Sequence, residues 1–170
     1  MELLEWNARV YDQLPLPHRR WGAGVIERLK LGGHETVLDV GCGTGRDAQR
    51  MLEAVPCGRV VAVDGSRQML EQLRARLPGY GDRLRVVQAD LREPLDLGEH
   101  VDAALSVATL HWLPDHDVVF RSVADALLPG GRFVAEAGGA GNIASFRRTL
   151  AAVGGSHVNV IGLLSDPNAD

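Results

Sequence analysis

Three glycines at alternate positions suggest a loop that touches a ligand. In the stretch VLDVGCGTG, residues 37–45, they directly follow an alternating hydrophobic run: Gly41, Gly43 and Gly45. A tight turn between a strand and a helix needs only one glycine, because glycine is required only at a positive φ or at a close approach of the backbone. The repetition therefore indicates a bare backbone that lies against a ligand, beside the carboxylate of Asp39.

The glycine spacing and the nearby charge favour a cationic ligand over a pyrophosphate. Dinucleotide-binding loops have the pattern G-x-G-x-x-G, whereas the third glycine here, Gly45, arrives one residue early. The carboxylate of Asp39 would repel a pyrophosphate but suits an ammonium or sulfonium group. No Lys-Ser or Lys-Thr pair follows the loop, which excludes a P-loop. A nicotinamide-dependent oxidoreductase is therefore the less favoured alternative.

Two further acidic residues end the next two predicted strands. Asp64 closes the run RVVAVD, at the position where α/β nucleoside sites place an acceptor for ribose hydroxyls. Asp90 closes LRVVQAD, where a side-chain oxygen could accept from an adenine amino group. Each acid alone could equally be a helix cap or a solvated loop residue. Together with Asp39, they describe a ligand with a cationic amino-acid end, a ribose and an adenine, which is S-adenosylmethionine.

The elements that must position these residues alternate between strand and helix patterns. We predict strands over residues 36–40, 59–64, 84–90, 101–110 and 131–137. Helices are predicted over residues 2–14, 18–31, 46–55, 67–77, 115–128 and 142–153. Such alternation indicates βαβ units and a parallel sheet, and therefore the α/β class.

Composition limits the kind of partner. The 170 residues favour one domain, and the net charge of −4 with no basic run longer than two residues argues against nucleic acid. No apolar run is long enough to cross a membrane, and the N-terminus does not resemble a signal peptide. The two cysteines, Cys42 and Cys57, fit neither a disulfide framework nor a zinc site. We therefore expect a cytoplasmic protein that holds no metal.

Four motifs, in order, resemble the landmarks of class I S-adenosylmethionine-dependent methyltransferases: VLDVGCGTG, VVAVDGS, VVQADL and LLPGGRFV, within residues 34–137. The segment ATLHWLPDHDVVF (108–120) and the N-terminal WNARVY more narrowly resemble the trans-aconitate methyltransferase subgroup, which includes the malonyl-acyl-carrier methyltransferase type. The resemblance implies a Rossmann-like three-layer sandwich with a mainly parallel sheet of order 3-2-1-4-5. It also implies covering helices over residues 1–33, a cofactor-binding core over 34–153 and a short tail over 154–170, within one domain.

The resemblance also assigns residues to the two ligands. The residues implied at the cofactor are Asp39, Gly41, Cys42, Gly43, Gly45, Asp64, Gly65, Ser66, Met69, Asp90, Leu91 and Ser106. Those implied at the methyl acceptor are Tyr11, Arg20, His111 and Trp112, with His111 as the candidate catalytic residue. Packing roles for His111 and Trp112, and a solvated charge for Arg20, remain open alternatives.

The implied reaction is methyl transfer to a small molecule, with a carboxylate oxygen as the expected acceptor. A carboxylate is already ionised at pH 7 and needs no general base. The family's sheet normally ends in an antiparallel hairpin, but only 33 residues follow Ala137, so most of that hairpin is expected to be missing. A non-catalytic cofactor-binding module and a truncated inactive enzyme are therefore alternatives. The apolar segment VNVIGLL (158–164) is expected either to pair beside the fifth strand, giving a monomer, or to leave an edge that favours a homodimer.

Overall fold

The computed structural model describes residues 5–14 and 18–139. Its strands are Thr36–Val40 (β1), Arg59–Asp64 (β2), Leu84–Gln88 (β3), Val101–Val107 (β4) and Leu127–Glu136 (β5). Its α-helices are Ala8–Gln13 (α1), His18–Leu29 (α2), Arg46–Ala54 (α3), Arg67–Arg76 (α4) and His116–Ala126 (α5), with 3₁₀ turns at Gly81–Arg83 and Leu110–Trp112. The predicted helix over 142–153, the tail with VNVIGLL and any C-terminal hairpin lie outside the described residues.

The five strands form one parallel sheet in the order β3-β2-β1-β4-β5, which confirms the predicted α/β class and strand order. Leu38 on the central strand β1 lies beside Val61 of β2 and Ala104 of β4. In a parallel sheet all carboxyl ends meet at one edge, and the order reverses beside β1. The loops that follow β1, β2 and β4 therefore meet at the same place.

Alternating side chains of the strands build two hydrophobic cores, one on each face of the sheet. Val37 and Val60 pack with buried residues of α2, α3 and α4. Their chain neighbours Leu38 and Val61 pack instead with buried residues of α5. Strands covered on both faces become continuous apolar runs, which is why TVLDV and RVVAVD are so hydrophobic. The helices thus form the two outer layers of the predicted three-layer sandwich.

The first helix is shorter than its periodicity predicts. Within the described residues it starts at Ala8, because Asn7 is its N-cap and accepts a hydrogen bond from the Val10 N–H at 3.1 Å. Glu5 and Trp6 precede the cap in non-helical conformation and make contacts with residues about sixty positions away. Tertiary contacts therefore override the helical pattern before Ala8.

Element ends near the predicted site also differ from the sequence predictions. The third strand stops at Gln88 rather than at residue 90, so Asp90 lies two residues beyond it. The fourth strand stops at Val107 rather than at residue 110, because Ala108 has a positive φ of 55°. The last described helix stops at Ala126 rather than at 128, since the backbone turns extended and the next residue pairs with Val101. The PGG turn then interrupts the pairing, which resumes where Arg132 lies beside Ala103.

Candidate functional site

Each glycine of the loop after β1 is required for a different reason, although all three have positive φ. At Gly41 (φ 80°) a Cβ would collide with the side chain of Thr109. At Gly45 (φ 82°) a Cβ would come within 2.6 Å of Leu73 Cγ on α4. At Gly43 (φ 52°) a Cβ would meet no described atom within 4 Å. The middle glycine therefore faces open space, whereas the outer two allow close packing.

The glycine loop is fixed to the end of β2 by backbone hydrogen bonds. The N–H groups of Gly41 and Cys42 both donate to the carbonyl of Val63, at 2.8 and 2.9 Å. The Gly43 N–H donates to Asp64 Oδ2 at 2.8 Å, and the Ser66 N–H donates to Oδ1 at 2.8 Å. Asp64 therefore lies beside the open glycine, as its assignment to the ribose of a nucleoside requires.

Asp39 is a buried carboxylate with an unused oxygen. The residue is 2 % exposed, and its side chain accepts one hydrogen bond from the Ala48 N–H. Its Oδ2 atom has no hydrogen-bond partner among the described residues. Burial raises the pKa of this carboxyl well above its ordinary value, and the charges of Asp47 and Asp64 raise it further. A cationic group bound here would offset the cost of ionising Asp39.

Two other acids and a thiol in the loop region share this desolvation. Burial raises the pKa of Asp64, although backbone N–H groups partly offset the effect. Burial also raises the pKa of Asp47, which is partly offset by Arg50 at 2.8 Å. The Cys42 thiol is buried with a pKa well above its ordinary value, so it is not a reactive thiolate. The edge of the sheet thus concentrates acidic groups that are short of cations.

Asp90, the acid predicted to meet the adenine, already has a partner. Arg92 forms a two-pronged ion pair with it, with Nε 2.8 Å from Oδ1 and Nη2 2.6 Å from Oδ2. The hydrogen bonds from Arg92 hold the pKa of Asp90 below its ordinary value. An Asp carboxylate has about four acceptor positions, and Arg92 makes four hydrogen bonds to it, one of them from the backbone N–H of Arg92 at 3.0 Å. A contact with adenine remains a prediction.

Several other predicted cofactor residues have structural contacts. Ser106 is buried, and its hydroxyl donates to the Val40 carbonyl at 2.9 Å, which ties β4 to β1. Met69 on α4 and Leu91, the residue after Asp90, are both buried. The Gly65 carbonyl accepts a hydrogen bond from Gln88 at 3.1 Å. Their assignment to cofactor groups stays a prediction.

The structure connects three of the four predicted acceptor residues through a residue that the sequence analysis did not assign, Trp6. The Trp6 ring meets Trp112 edge to face at 4.8 Å and lies 6.4 Å from the ring of Tyr11. His111 lies 5.1 Å from Trp112. The side chain of Arg20 lies outside what the structure describes. Trp6 lies in the helix predicted over residues 2–14 but was assigned to no ligand, because its contact with Trp112 joins distant segments.

His111 is neutral and has a spare ring nitrogen. Burial lowers the pKa of its imidazole, and Nδ1 is buried with no hydrogen-bond partner in the described parts of the chain. The geometry allows one hydrogen bond to an incoming molecule, but it also fits a packing role against Trp112. The catalytic assignment of His111 therefore stays a prediction.

A pocket opens at the glycine loop. Its lining residues are Tyr11, Asp39, Gly41, Cys42, Gly43, Thr44, Arg46, Asp47 and Val107. Of the three predicted acceptor residues whose side chains the structure describes, Tyr11 lines the pocket and His111 and Trp112 do not, and burial raises the pKa of the Tyr11 phenol. Thr44 and Arg46 were not predicted, although Thr44 lies inside the glycine motif and Arg46 is the residue directly after it. The pocket thus combines the acidic Asp39 of β1 and Asp47 of α3 with Arg46 at the start of α3.

No group of three or more His, Cys, Asp or Glu side chains in the described residues could hold a metal ion. Over the same residues, no helix is long and apolar enough to cross a membrane.

The fold and site define a methyltransferase domain. Residues 37–131 match the family model described as "Methyltransferase domain", more than half of the chain, and the chain belongs to this family. This match confirms the predicted class I S-adenosylmethionine-dependent methyltransferase family. It also confirms the predicted cofactor of that family, S-adenosylmethionine.

The similar sequences include trans-aconitate 2-methyltransferases. The protein of that name from Enterobacter sp. (strain 638) is 35 % identical over 67 % of this chain and 43 % of its own length. That from Azoarcus sp. (strain BH72) is 33 % identical over 74 % of this chain and 48 % of its own length. The chain thus spans less than half the length of these curated relatives.

Solved structures show the same fold. An S-adenosylmethionine-dependent methyltransferase from Clostridium acetobutylicum ATCC 824 aligns over 82 % of this chain and 59 % of its own, with a TM-score of 0.67 and 22 % identity. One from Mesorhizobium loti aligns over 66 % of this chain and 51 % of its own, with a TM-score of 0.57 and 33 % identity.

Proposed function

We propose that this chain binds S-adenosylmethionine at the glycine loop and transfers its methyl group to a carboxylate oxygen of a small acid. The observation that carries the first half is the unpaired, buried Oδ2 of Asp39 beside the open face of Gly43. A cationic amino-acid end satisfies that carboxylate, and Asp64 stands next to the same glycine as the acceptor for ribose hydroxyls. When bound, S-adenosylmethionine supplies an electrophilic methyl group on a sulfonium centre.

The chain's own residues have the tasks of binding, alignment and exclusion of water. Asp39 and Asp64 hold the cationic and ribose ends of the cofactor. The ring of Tyr11 lines the pocket and covers part of it, and Trp6 connects this ring to Trp112. Covering the site removes water, which strengthens the electrostatic contacts and protects the reacting pair. A displacement of this kind gains most from alignment of the two reactants.

The carboxylate acceptor is supported by similarity and by the chemistry of the site. Relatives at 33–35 % identity bear the name trans-aconitate 2-methyltransferase, which specifies a small tricarboxylic acid. An ionised carboxylate needs no proton removed before it attacks, and the neutral His111 is not required as a base. The arrangement therefore suits an acceptor that arrives already charged.

The test is a turnover screen with methyl-labelled S-adenosylmethionine. The acceptors are trans-aconitate, smaller dicarboxylic and monocarboxylic acids, and matched amines and phenols. We expect label in a base-labile methyl ester of one of the acids. Label only in amines or phenols would contradict the carboxylate assignment. Label in no acceptor, with S-adenosylmethionine bound in calorimetry, would instead favour the non-catalytic alternative.

Calorimetry with NAD in parallel separates the remaining alternative. We expect S-adenosylmethionine to bind and NAD not to bind, because the glycine spacing and the charge of Asp39 disfavour a pyrophosphate at the loop. Tight binding of NAD with no binding of S-adenosylmethionine would overturn the proposal. Asp64→Ala serves as the matched variant that lacks the ribose acceptor.

A further inference from the structure

Arg46 is a charged residue of the pocket whose hydrogen bonds are incomplete. It is the first residue of α3, lines the pocket, and has a side chain that is 18 % exposed. Its Nη2 donates to the main-chain carbonyl of Asp12 at 2.6 Å and lies 3.0 Å from Asp12 Oδ1. Its Nη1 is buried and has no hydrogen-bond partner among the described residues. A buried guanidinium nitrogen without an acceptor is costly, so Nη1 is a donor that an incoming acceptor would satisfy.

Asp12 does not neutralise Arg46, because it is shared. Arg76 on α4 binds Asp12 Oδ2 at 2.6 Å, and the Thr44 hydroxyl donates to Oδ1 at 2.6 Å. Gln72 lies 3.3 Å from Oδ2. Two guanidinium groups thus share one carboxylate, and Asp47, the other acid whose charge interacts with Arg46, pairs with Arg50. Arg76 has a second acceptor in the Thr44 carbonyl at 2.8 Å, whereas Nη1 of Arg46 has none in the described structure.

The surrounding contacts hold the Arg46 guanidinium in one place. Its Cζ lies 5.9 Å from the centre of the Tyr11 ring, a distance that permits a cation–π contact. The guanidinium is also held by its hydrogen bonds to Asp12, which belongs to α1 as Tyr11 does. Only a small loss of conformational freedom therefore accompanies the binding of an anion, as a preorganised site requires.

We propose that Arg46 is the carboxylate-binding residue of the pocket, and that Asp12 and Tyr11 act as positioning residues for it. The planar guanidinium offers further N–H donors in a fork that matches a carboxylate. This inference rests on the proposed function, because both of its ligands contain carboxylates. One source is the carboxylate of the cofactor's methionine part, and the other is the carboxylic acid that accepts the methyl group.

The test compares Arg46→Gln with the wild-type chain in two arms. The first arm titrates S-adenosylmethionine and its decarboxylated analogue by calorimetry. The second measures the KM for the acceptor acid found in the turnover screen, at saturating cofactor. Loss of charge-assisted hydrogen bonds corresponds to about a ten- to hundredfold rise in the dissociation constant or in the KM.

The two sources give different patterns. If Arg46 binds the cofactor, Arg46→Gln weakens S-adenosylmethionine about ten- to hundredfold and leaves the decarboxylated analogue unchanged. If it binds the acceptor, the KM rises by that factor while the cofactor dissociation constant stays the same. Equal weakening of both cofactor forms, or no change in either arm, would overturn the proposal. Wild-type chain that binds neither cofactor form would instead refute the proposed function.

Arg76→Gln is the matched control, because it removes the other guanidinium from Asp12 but does not line the pocket. We expect it to retain the wild-type preference for S-adenosylmethionine over the decarboxylated analogue. If Arg76→Gln loses this preference as much as Arg46→Gln does, the effect comes from disturbing Asp12 and α1, and the proposal for Arg46 is wrong. Should Arg46→Gln fail to fold, Arg46→Lys keeps the charge but loses the fork, and an unchanged preference between the cofactor forms together with an unchanged KM in that variant would also overturn the proposal.

Discussion

Alanine substitutions at Gly41 and Gly43 should separate folding from binding. Both positions have positive φ, which costs a residue with a Cβ about 1–2 kcal/mol. At Gly43 the added Cβ meets no described atom within 4 Å, so this strain is the whole expected loss of stability. At Gly41 the Cβ collides with Thr109, and overpacking adds about 1–3 kcal/mol. Gly41→Ala should therefore be the less stable variant by about 1–3 kcal/mol.

The assay is urea unfolding at a constant m-value, followed by calorimetry with S-adenosylmethionine. Gly43→Ala should stay folded yet bind more weakly, since its new methyl group enters the open space before the loop. Gly43→Val should bind more weakly again, because its branched side chain extends further. Equal unfolding free energies for Gly41→Ala and Gly43→Ala, or normal binding by folded Gly43→Val, would refute this account of the loop.

Three further predictions concern carboxylates. Asp64→Ala should weaken S-adenosylmethionine by about 1.5–3 kcal/mol, as measured by calorimetry on the folded variant; an unchanged dissociation constant contradicts the ribose assignment. Burial raises the pKa of Asp39 in the folded chain, so its contribution to stability is complete below about pH 4, the unfolded pKa, and is lost as the pH rises through the folded pKa. Asp39→Asn should flatten that fall in unfolding free energy, and parallel pH profiles of the two proteins would count against it. Asp12→Ala should lower the unfolding free energy by about 2–3 kcal/mol. This loss is smaller than for a fully buried ion pair because Asp12 is partly exposed. An unfolding free energy from urea within error of wild type would disprove the prediction.

The strands were the most predictable part of the fold. The bounds of β1 and β2 agree with the sequence predictions residue for residue, because both strands are covered on two faces and are continuous apolar runs. The start of β5 was not predictable in this way. Leu127 follows a helical pattern but joins the sheet opposite Val101, a pairing that depends on the position of β4 rather than on local sequence.

The site was predictable where its residues are local to the strand ends. Asp39, the glycines and Asp64 come together because the carboxyl ends of neighbouring parallel strands meet at one edge. Trp6 and Arg46 escaped prediction, since their partners come from segments 30 to over 100 residues away. The pairing of Asp90 with Arg92 spans only two residues, so an inspection of the immediate neighbours could have revealed it.

The way in which α1 is attached has a consequence for local stability. The helix has six residues, and Ala8 is its only buried residue. Its ties to α3 and α4 include the polar contacts of Asp12 with Arg46 and Arg76, and Glu5, just before it, accepts a hydrogen bond from Ser66. Contacts of this kind weaken as ionic strength rises, whereas the apolar cores on either side of the sheet do not. Amide hydrogens of α1 should therefore exchange through local opening, at a rate that increases with salt, while those of β1 exchange only when the whole sheet unfolds.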